Sequence, residues 1–570
     1  MKRQQTDGFS LTFAVLCGVL WTSIAPGSAT AQSQPKGNLT QALENAKLAN
    51  EGLNRCRRYV DGWLKHADPA TGLIPRNFRD RYWNAKDSAA DNYPFMVLTA
   101  ALTDRALFEG RMLDMLRTET RLTSRIDSLP DTWSFDKQGF LTDQPAIDSV
   151  IFGASEYVKD GLLPLTEYLG PSPWRDRMLA MLDDMWKHAP VDTPLGRIVS
   201  TNVEVNGEML QTLSRVYWMT GDRKYLDWAI RLADYYLLGN HHPTRNRSRL
   251  KLRDHEGEIV SGLSELYAAV HFARPEKKKA YQKPIHEMLD RILEVGRNEH
   301  GLFYNVVNPR AGTAIDRRIA DTWGYTYNAY YTVFLIDGTP AYRAAVRDVL
   351  SCLYDHYRSH KWQGDNADGY ADAIEGALNL YNREPVESAA KWIDSEIRVM
   401  WAKQKPDGVI DEWHCDGNFA RTTIMYCLWK TAGITIRPWR ADVRFGAVRS
   451  GGSLAVAMSA EKPWEGSLRF DPPRHRKHMG LPLDWPRINQ FPEWFVVQPD
   501  EDYAVYDLGS QGQASYSGRQ LAEGLAVRLS TGEVRAWVVQ KPDADSPCLN
   551  KLKAELKSLS SPAPPAPEAP

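Results

Sequence analysis

Apolar residues recur every three or four positions along most of the chain between Asn38 and about Ile434, which is the period of an amphipathic helix. The clearest apolar stripes are Trp174, Met178, Met181 and Met185; Tyr225, Ala229, Leu232 and Tyr236; and Tyr342, Val346, Val349 and Leu353. Residues 262–272 and 371–381 are instead small or apolar on most sides. The pattern therefore predicts amphipathic outer helices packed around more deeply buried inner helices.

Five of the predicted helices begin with a similar turn. Proline is tolerated at the first helical position because that position needs no intrahelical N–H bond, and Ser, Thr or Asp caps the exposed donors. The five turns are Ser172-Pro173-Trp174, Gly221-Asp222-Arg223, Arg274-Pro275-Glu276, Thr339-Pro340-Ala341 and Glu384-Pro385-Val386. Their spacing of roughly fifty residues corresponds to one helical hairpin, so the region has room for roughly six hairpins.

A glycine followed by two apolar residues is the second repeated element. It occurs at Gly72-Leu73-Ile74, Gly301-Leu302-Phe303 and Gly408-Val409-Ile410, each time after a predicted helix. Glycine suits the left-handed conformation at a helix stop, and the apolar pair docks the outgoing chain. Each element leads into a polar, aromatic-rich loop and then into another helix.

These repeats favour a mainly α fold, an (α/α)6 toroid of helical hairpins, with a small C-terminal β-sheet domain. The alternative is an open α-solenoid, whose repeats are shorter and more regular. After Pro438 the chain changes to short, partly alternating apolar runs, which predict strands. These runs are Arg440–Phe445, Ser453–Met458, Gly466–Phe470, Trp494–Val497, Tyr503–Tyr506, Leu525–Leu529 and Val534–Val539.

The two ends of the chain are predicted to lie outside the fold. Lys2 and Arg3, the apolar run 11–20 and the small residues 29–31 form the pattern of a signal peptide spanning residues 1–31. Residues 546–570, rich in proline and alanine, predict a disordered tail. The barrel is then expected over residues 32–437 and the β-sheet domain over residues 438–545. We expect a secreted or periplasmic protein without a membrane anchor once the signal is removed.

The balance of charge excludes some partners. Lys and Arg number 70 and Asp and Glu number 71, so the chain has no basic excess for nucleic acid. The 19 Trp and 25 Tyr outnumber the 16 Phe. Rings with a polar tip suit half-wet surfaces that stack against sugars, although they also wedge helices together. We expect a polysaccharide or oligosaccharide as the partner; the oligomeric state is open.

One segment carries a family resemblance. Residues 206–229 contain Leu-x-x-x-Tyr-x-x-Thr-Gly-Asp-x-x-Tyr-Leu-x-x-Ala, which resembles a recurrent hairpin of the six-hairpin (α/α)6-barrel glycosidase superfamily, in particular unsaturated glucuronyl hydrolases. The resemblance covers about residues 39–435, and the β domain is similar to that of toroid polysaccharide lyases. Unsaturated glucuronyl hydrolases carry an Asp where this chain has Asn206-Gly207, so that particular activity is doubtful and no catalytic Asp is transferred.

The loops that enter the inner helices are expected to meet at one mouth of the toroid and to supply the catalytic groups. They are rich in acids and aromatic rings, and residues 411–421 form the densest group. Our candidate catalytic residues are Asp91, Asp321, Asp372, Asp411, Glu412, His255 and Tyr325. Our candidate substrate-binding residues are Asn92, Asn206, Arg318, Trp323, Tyr327, Tyr370, Trp413, His414, Asn418 and Arg421. For any one of these, a helix cap, a packed ring or a surface charge is the structural alternative.

Glycoside hydrolysis is the leading hypothesis for these residues, because it needs one protonated and one ionised carboxyl group in different environments. The pair would come from Asp91, Asp321, Asp372, Asp411 and Glu412. A polysaccharide lyase is the first alternative: His255 or Tyr325 would abstract a proton, and Arg318 or Arg421 would neutralise a uronate carboxylate. A non-catalytic glycan-binding module is the second. The sequence requires no cofactor, and it leaves a divalent metal open without support from a motif.

Overall fold

The computed structural model describes residues 37–542 together with Leu552 and Glu555. The predicted signal peptide, and the predicted tail apart from Leu552 and Glu555, lie outside the described residues. Among the described residues, no helix combines the length and apolar character needed to cross a bilayer.

Helices alternate between an outer and an inner position along residues 38–430. The outer members, in chain order, are α1 (Asn38–Lys65), α3 (Arg105–Leu107) with α4 (Leu113–Thr123), α7 (Pro173–Lys187), α9 (Arg223–Ala233), α11 (Pro275–Val295), α13 (Pro340–His356) and α15 (Glu387–Ala402). The inner members that follow them are α2 (Tyr93–Thr103), α5 (Ile147–Glu156) with α6 (Leu163–Leu169), α8 (Val203–Thr220), α10 (Glu258–Ala273), α12 (Trp323–Asp337), α14 (Ala367–Tyr381) and α16 (Asn418–Lys430).

Wider or tighter helical turns extend several of these helices. A π-helical stretch at Ala85–Asn92 leads into α2, and another at Asp234–Leu238 extends α9. Two more connect helices: Phe108–Met112 joins α3 to α4, and Tyr157–Leu162 joins α5 to α6. Short 3-10 turns at His255–Gly257 and Trp362–Gly364 precede α10 and α14. Loop strands β1 to β8 are Tyr82–Trp83, Ser124–Ile126, Leu129–Pro130, Trp133–Ser134, Gly139–Phe140, Leu250–Lys251, Tyr304–Asn308 and Thr313–Ile319.

The inner helices form a closed ring. Each contacts its neighbour in chain order, and α16 returns to contact α2. The prediction of a mainly α toroid of hairpins followed by a small β domain is confirmed. Within residues 38–430 the ring contains seven helix pairs. In the second pair, the outer member consists of α3 and α4 and the inner member of α5 and α6. A π-helical turn interrupts each member, and the pair does not begin with the proline or glycine turn that marks the later pairs.

The predicted helix starts agree with the structure at four turns. Helices α7, α9, α11 and α13 begin at Pro173, Arg223, Pro275 and Pro340. Helix α15 begins at Glu387, two residues after the predicted proline. The three glycines of the second repeat have φ values of 75°, 89° and 98°, and the apolar pairs after them are buried. They lie several residues beyond the helix ends, in the turns that carry the chain back toward the ring.

The C-terminal part forms two sheets that pack face to face. The five-stranded antiparallel sheet has the order β10-β11-β16-β13-β14 and the three-stranded sheet the order β15-β12-β9. The strands are β9 (Thr435–Arg437), β10 (Val443–Ser450), β11 (Ser453–Ala460), β12 (Trp464–Arg469), β13 (Asp502–Asp507), β14 (Gln513–Ser517), β15 (Leu525–Leu529) and β16 (Val534–Gln540); short helices α17 (Arg474–Lys477) and α18 (Gly518–Glu523) lie between them. The predicted strand at 494–497 is wrong: only Val496 makes an isolated bridge, to Asp471.

The sheets and the ring share their packing. The outer face of the five-stranded sheet covers Leu39 and Ala42 of α1, and the inner face packs on the three-stranded sheet. In addition, the segment between β12 and β13 leaves the β domain and joins the core of the ring. Met479, Leu481 and Trp485 of this segment are fully or almost fully buried there. We call residues 471–497 the plug segment.

Buried ion pairs fix the plug segment to the inner helices. The guanidinium of Arg487 donates to both carboxylate oxygens of Glu167, at 2.6 and 3.3 Å, and both side chains are almost completely buried. Arg215 makes a similar double contact with Glu265, at 2.7 and 2.9 Å, and also donates to the carbonyl oxygen of Ile488. Charges this deep in the protein need their partners, because an unpaired buried charge is strongly destabilising.

We expect Arg487→Met to lower the free energy of unfolding by about 3–5 kcal/mol, because it leaves the Glu167 carboxylate buried without its partner. Urea denaturation at neutral pH measures the change. Arg519→Met is the matched control, since Arg519 pairs with Asp500 at 3.3 Å on the open surface of the same domain and should have little effect. Equal effects of the two substitutions would mean that the plug segment does not contribute to stability as argued.

Candidate active site

A cavity of about 500 Å³ opens where the inner helices begin. It is lined by residues from the N-terminal parts of the inner helices, from the loops before them, and by Asn489 of the plug segment. Twelve of the lining residues in the described part of the chain are acids: Asp87, Asp91, Glu156, Asp160, Glu204, Asp254, Glu258, Asp321, Asp368, Asp372, Glu412 and Asp416. The positive dipole ends of the inner helices point toward this region and favour negative charge.

Ten of the seventeen candidate residues line this cavity. They are Asp91, His255, Asp321, Tyr325, Asp372, Glu412, Trp413, His414, Asn418 and Arg421. The loops predicted to meet at one mouth of the ring do meet there. The other seven are outside the lining.

Four of those seven have internal structural contacts. Asn92 accepts a hydrogen bond from Tyr59, and Asn206 donates to Tyr236 and to the carbonyl oxygen of Ser200. Trp323 is fully buried against Tyr327, whose hydroxyl donates to the carbonyl oxygen of Gly301. These side chains hold neighbouring helices and loops together.

The remaining three lie near the cavity without lining it. Tyr370 donates to the carbonyl oxygen of His360 and to Asp365. Asp411 accepts a hydrogen bond from the backbone of Phe78 and lies beside Lys405. Arg318 is exposed and makes a paired contact with Asp316 at 2.7–3.1 Å.

Asp321 has the environment of a proton donor. It lies just before α12 and is 4 % exposed. Burial and, to a smaller extent, the charge of Asp368 raise the pKa of Asp321 to about 6, against the Arg253 charge and a hydrogen bond from the backbone N–H of Thr322. A carboxyl group with this pKa holds its proton at mildly acid pH.

Arg421 organises the opposite side of the cavity. Its Nη2 lies 2.6 Å from Asp372 and 2.9 Å from Glu375, and its Nη1 donates to Asn418 and to Asn489. Burial nevertheless raises the pKa of Asp372 well above its ordinary value, with a further contribution from nearby acids. Both terminal nitrogens of the guanidinium are engaged with protein groups, whereas its Nε has no hydrogen-bond partner among the described residues.

Tyr325 belongs to the same network. Its hydroxyl lies 2.9 Å from both Asp372 and Glu375 and can donate its single proton to one of these acids at a time. Burial and the neighbouring carboxylates raise the pKa of Tyr325 well above its ordinary value, although Arg421 opposes the shift. A phenol in this setting keeps its proton and positions the acids.

A second group of acids surrounds His255. Its Nδ1 lies 3.5 Å from Glu156, Asp160 and Glu208 and 3.6 Å from Glu258. Burial raises the pKa of Glu208 to about 8. The neighbouring carboxylates raise the pKa of His255 well above its ordinary value, against the effect of burial.

Trp413 marks the rim of the cavity. It is 68 % exposed, the most exposed of the large apolar side chains in the described part of the chain, and Arg76 lies 4.9 Å from its ring centroid. Glu412 beside it accepts a hydrogen bond from the backbone N–H of Ala367 at 2.9 Å. A solvent-facing indole at the mouth of a polar cavity offers a stacking surface for a sugar ring.

A second cavity of about 520 Å³ adjoins the first and shares Arg253, Asp321 and Gln363 with it. Its lining is basic, with Arg317, Arg318, Lys361 and His360 added to Arg253. The positive charge of Arg318 is offset by Asp316. Arg317 and Lys361 are exposed and make no ion pair with an acid within the described residues. The acidic cavity thus continues into a positively charged one.

Sequence reasoning missed several residues that line the main cavity. Glu156 and Asp160 lie inside an inner helix rather than in the loop before it, so a search of loops passes over them. Glu204 and Asp368 lie in polar segments whose sequence does not distinguish them from surface acids. Asn489 comes from the plug segment, where the polar run 486–494 gives no clear sign that it reaches the cavity.

Two groups of residues have the composition of a metal site: Glu156, Asp160, Glu208 and His255, and Asp87, Asp91 and His414. In the second group, Asp87 already accepts short hydrogen bonds from Arg76 and Asn84, both at 2.6 Å. In the first group, the atoms that face one another, such as Oδ2 of Asp160 and Nδ1 of His255, make no hydrogen bond within the described residues.

No family model matches the sequence, and the comparison with curated proteins found no match. Among solved structures, similar ones include an inactive variant of an α-1,6-mannanase of Salegentibacter sp. in complex with α-1,6-mannotetrose (12% identity, 66% of this chain and 98% of that chain, TM-score 0.38). A cellobiose 2-epimerase from Bacillus thermoamylovorans (12%, 67% and 99%, 0.38) and a possible member of the GH105 family from Salmonella enterica (16%, 49% and 81%, 0.35) are also similar.

At these identities and TM-scores the likeness carries no argument about the superfamily or the reaction, and the resemblance stated from residues 206–229 stays a prediction.

We expect Asp321→Asn to stabilise the protein above pH 6. The raised pKa means that the folded state binds this proton more tightly than the unfolded chain does, so wild type loses stability as pH rises from about 4 through about 6. The variant lacks this loss, and the difference should level off at about 3 kcal/mol above pH 7. Urea denaturation between pH 4 and pH 8 measures it.

Asp316→Asn is the control of opposite sign. Hydrogen bonds from Arg318 lower the pKa of Asp316, so removing its charge should not stabilise the protein at any pH above 4. A pH-independent difference between wild type and Asp321→Asn would contradict the assignment of a raised pKa to Asp321.

Proposed function

We propose that the protein is a glycoside hydrolase that acts on a polysaccharide or oligosaccharide by carboxylate acid/base catalysis. The observation that carries the proposal is the buried carboxyl of Asp321, with its pKa near 6, beside other acids in one solvent-connected cavity. Hydrolysis of a glycosidic bond requires a protonated carboxyl group for the leaving oxygen and an ionised one for water or the sugar carbon.

Asp321 takes the role of the general acid. Asp368 is the best-placed second carboxyl group: it lines the same cavity, is only half-buried, and its Oδ1 accepts a hydrogen bond from Asn418 at 2.9 Å. The reaction needs two carboxyl groups in different environments, and these two differ in burial. Asp372 is already bound to Arg421 and Tyr325.

The substrate is proposed to carry acidic sugars. Trp413 supplies the stacking surface at the rim, and the basic second cavity accepts a carboxylate on a neighbouring sugar unit. Because the second cavity shares Asp321 with the first, a glycan that spans both places its glycosidic bond beside the proposed acid. The apolar run 11–20, which follows Lys2 and Arg3, and the small residues 29–31 support the proposal that the enzyme is exported to the periplasm or the medium.

The lyase alternative has less support. β-Elimination needs a free base and a free cation for the uronate carboxylate. The Tyr325 hydroxyl is hydrogen-bonded within the pair Asp372 and Glu375, and Arg421 is held by the same two acids, so neither is free for those roles. His255, the other candidate base, is enclosed by Glu156, Asp160 and Glu208. The binding-module alternative leaves the raised pKa of Asp321 without a use.

A screen of uronate-rich, sulfated and neutral glycans tests the proposal. We expect new reducing ends from a uronate-containing glycan without the ultraviolet absorbance of an unsaturated product. Reducing ends accompanied by that absorbance would establish the lyase instead, and tight binding without turnover would establish the binding module.

Asp321→Asn should reduce turnover by about 10²–10⁴-fold, the usual contribution of a general acid. Wild-type activity should fall as pH rises through about 6, because the acid then loses its proton. Initial rates from pH 4 to pH 8 measure both effects. Asp411→Asn is the matched control, since Asp411 lies outside the cavity lining and its variant should keep the wild-type pH profile. An unchanged rate in Asp321→Asn would remove Asp321 from the mechanism.

Arg317→Ala tests the acidic-sugar part of the proposal. We expect KM for the uronate glycan to rise about tenfold, equivalent to about 1.4 kcal/mol of lost charge-assisted binding, with little change on a carboxyl-reduced glycan. Arg318→Ala should have a smaller effect, because Asp316 already offsets its charge. Equal changes in KM on the charged and the reduced glycan would show that Arg317 does not recognise the carboxylate.

A further inference from the structure

The acids around His255 converge on one point. We call Glu156, Asp160, Glu208 and His255 the convergent site; one ligand atom from each lies within 4.8 Å of every other. Opposite ligands of a divalent cation are separated by twice the metal–ligand bond, about 4–5 Å. The four atoms are therefore spaced as ligands around a common centre, without direct hydrogen bonds between them.

The atoms that face this centre lack other partners. Both carboxylate oxygens of Glu208, which is completely buried, accept no hydrogen bond within the described residues, and the same holds for Oδ2 of Asp160. Nδ1 of His255 lies 3.5 Å from Oε1 of Glu208 and from Oδ2 of Asp160 as an ion-pair partner, and it makes no hydrogen bond either. Leaving buried polar atoms unsatisfied is costly, so four in one place point to a missing ligand.

Neighbouring groups hold these ligands from behind. The other oxygen of Asp160 accepts hydrogen bonds from Lys159 at 2.7 Å and from Asn489 at 2.6 Å, which leaves Oδ2 turned toward the centre. Glu258 is satisfied in a different way: Lys159 donates to one of its oxygens and Gln211 to the other. Such outer contacts are what fixes the orientation of metal ligands in proteins.

The formal charges also favour a cation. Four carboxylates, counting Glu258, surround the centre, whereas Lys159 and His255 are the cationic groups in contact with them. With the four carboxyl groups ionised and the imidazole neutral, as metal ligands must be, the cluster carries three negative charges in excess. A divalent ion would offset most of this charge in a region from which water is largely excluded.

We propose that the convergent site binds one divalent cation of the Mn²⁺ or Zn²⁺ class. Three carboxylates with one imidazole suit such an ion, since carboxylates alone would favour Mg²⁺ or Ca²⁺ and thiolates are absent from the group. Glu156, Asp160 and His255 also line the main cavity, so the ion reaches the site from solvent. The proposal goes beyond the proposed hydrolase activity and does not depend on it.

Metal binding is measured directly on the full chain. Protein treated with a chelator and dialysed should bind one Mn²⁺ or Zn²⁺ per chain in calorimetric titrations, and saturation should raise Tm. Anomalous X-ray scattering from crystals soaked in MnCl₂ should place the ion within bonding distance of Glu208 and His255. Absence of both binding and a Tm shift, or an ion located at Asp87 and His414 instead, would overturn the proposal.

Glu208→Gln keeps the shape of the side chain and should weaken Mn²⁺ binding by at least about 100-fold. Loss of a residue that only supports a metal ligand already weakens metal binding by up to about 100-fold, and Glu208 is itself a proposed ligand. Glu256→Gln is the matched control, because this substitution removes the same charge from the same region, while Glu256 lies outside the convergent site. Circular dichroism verifies folding, and the anomalous measurement on wild type decides the question if Glu208→Gln does not fold. Equal affinity of the two variants would also overturn the proposal. Since neither readout uses a glycan, failure of the metal site is distinguishable from failure of the hydrolase proposal.

Discussion

The contact between the plug segment and the inner ring is the constraint on which the rest of the structure depends. A ring of helices leaves a polar axis, and here Arg487 and Arg215 close it through buried pairs with Glu167 and Glu265. The tip of the same segment carries Asn489, with φ of 59°, into the cavity. The closure of the ring and the floor of the cavity are therefore produced by one polar segment from the β domain.

Asn489 shows why this arrangement matters chemically. Its backbone N–H donates to Glu375 at 2.5 Å, its side-chain oxygen accepts from Arg421, and its side-chain nitrogen donates to Asp160. One residue thus connects the Arg421 network with the acids around His255. Because such networks are satisfied as a unit or not at all, the two halves of the acidic cavity are geometrically coupled.

The sequence pattern predicted the helical ring because buried and exposed faces of a helix leave a periodic trace, as in the stripes of α7 and α13. Ten of the candidate residues line one cavity because the loops that enter the inner helices share one end of the ring. Asp160 and Glu208 were out of reach, since an acid in the middle of a buried helix has no local signal until its neighbours from other helices are known. Trp323 failed as a sugar platform for the same reason: exposure is a tertiary property.

The acidity of the cavity limits what it binds. Twelve acids facing one space of about 500 Å³ repel an anionic sugar, unless some are protonated or neutralised. Burial favours the protonated form of Asp321, and the positive charge of Arg421 offsets the charge of Asp372. The His255 cluster needs its own counter-charge, which a divalent ion supplies. With these acids compensated, the positive field of Arg253, Arg317 and Lys361 favours anionic groups in the adjoining cavity. In the proposed hydrolase, recognition of an acidic glycan and protonation of its leaving oxygen are thus separated between two cavities that meet at Asp321.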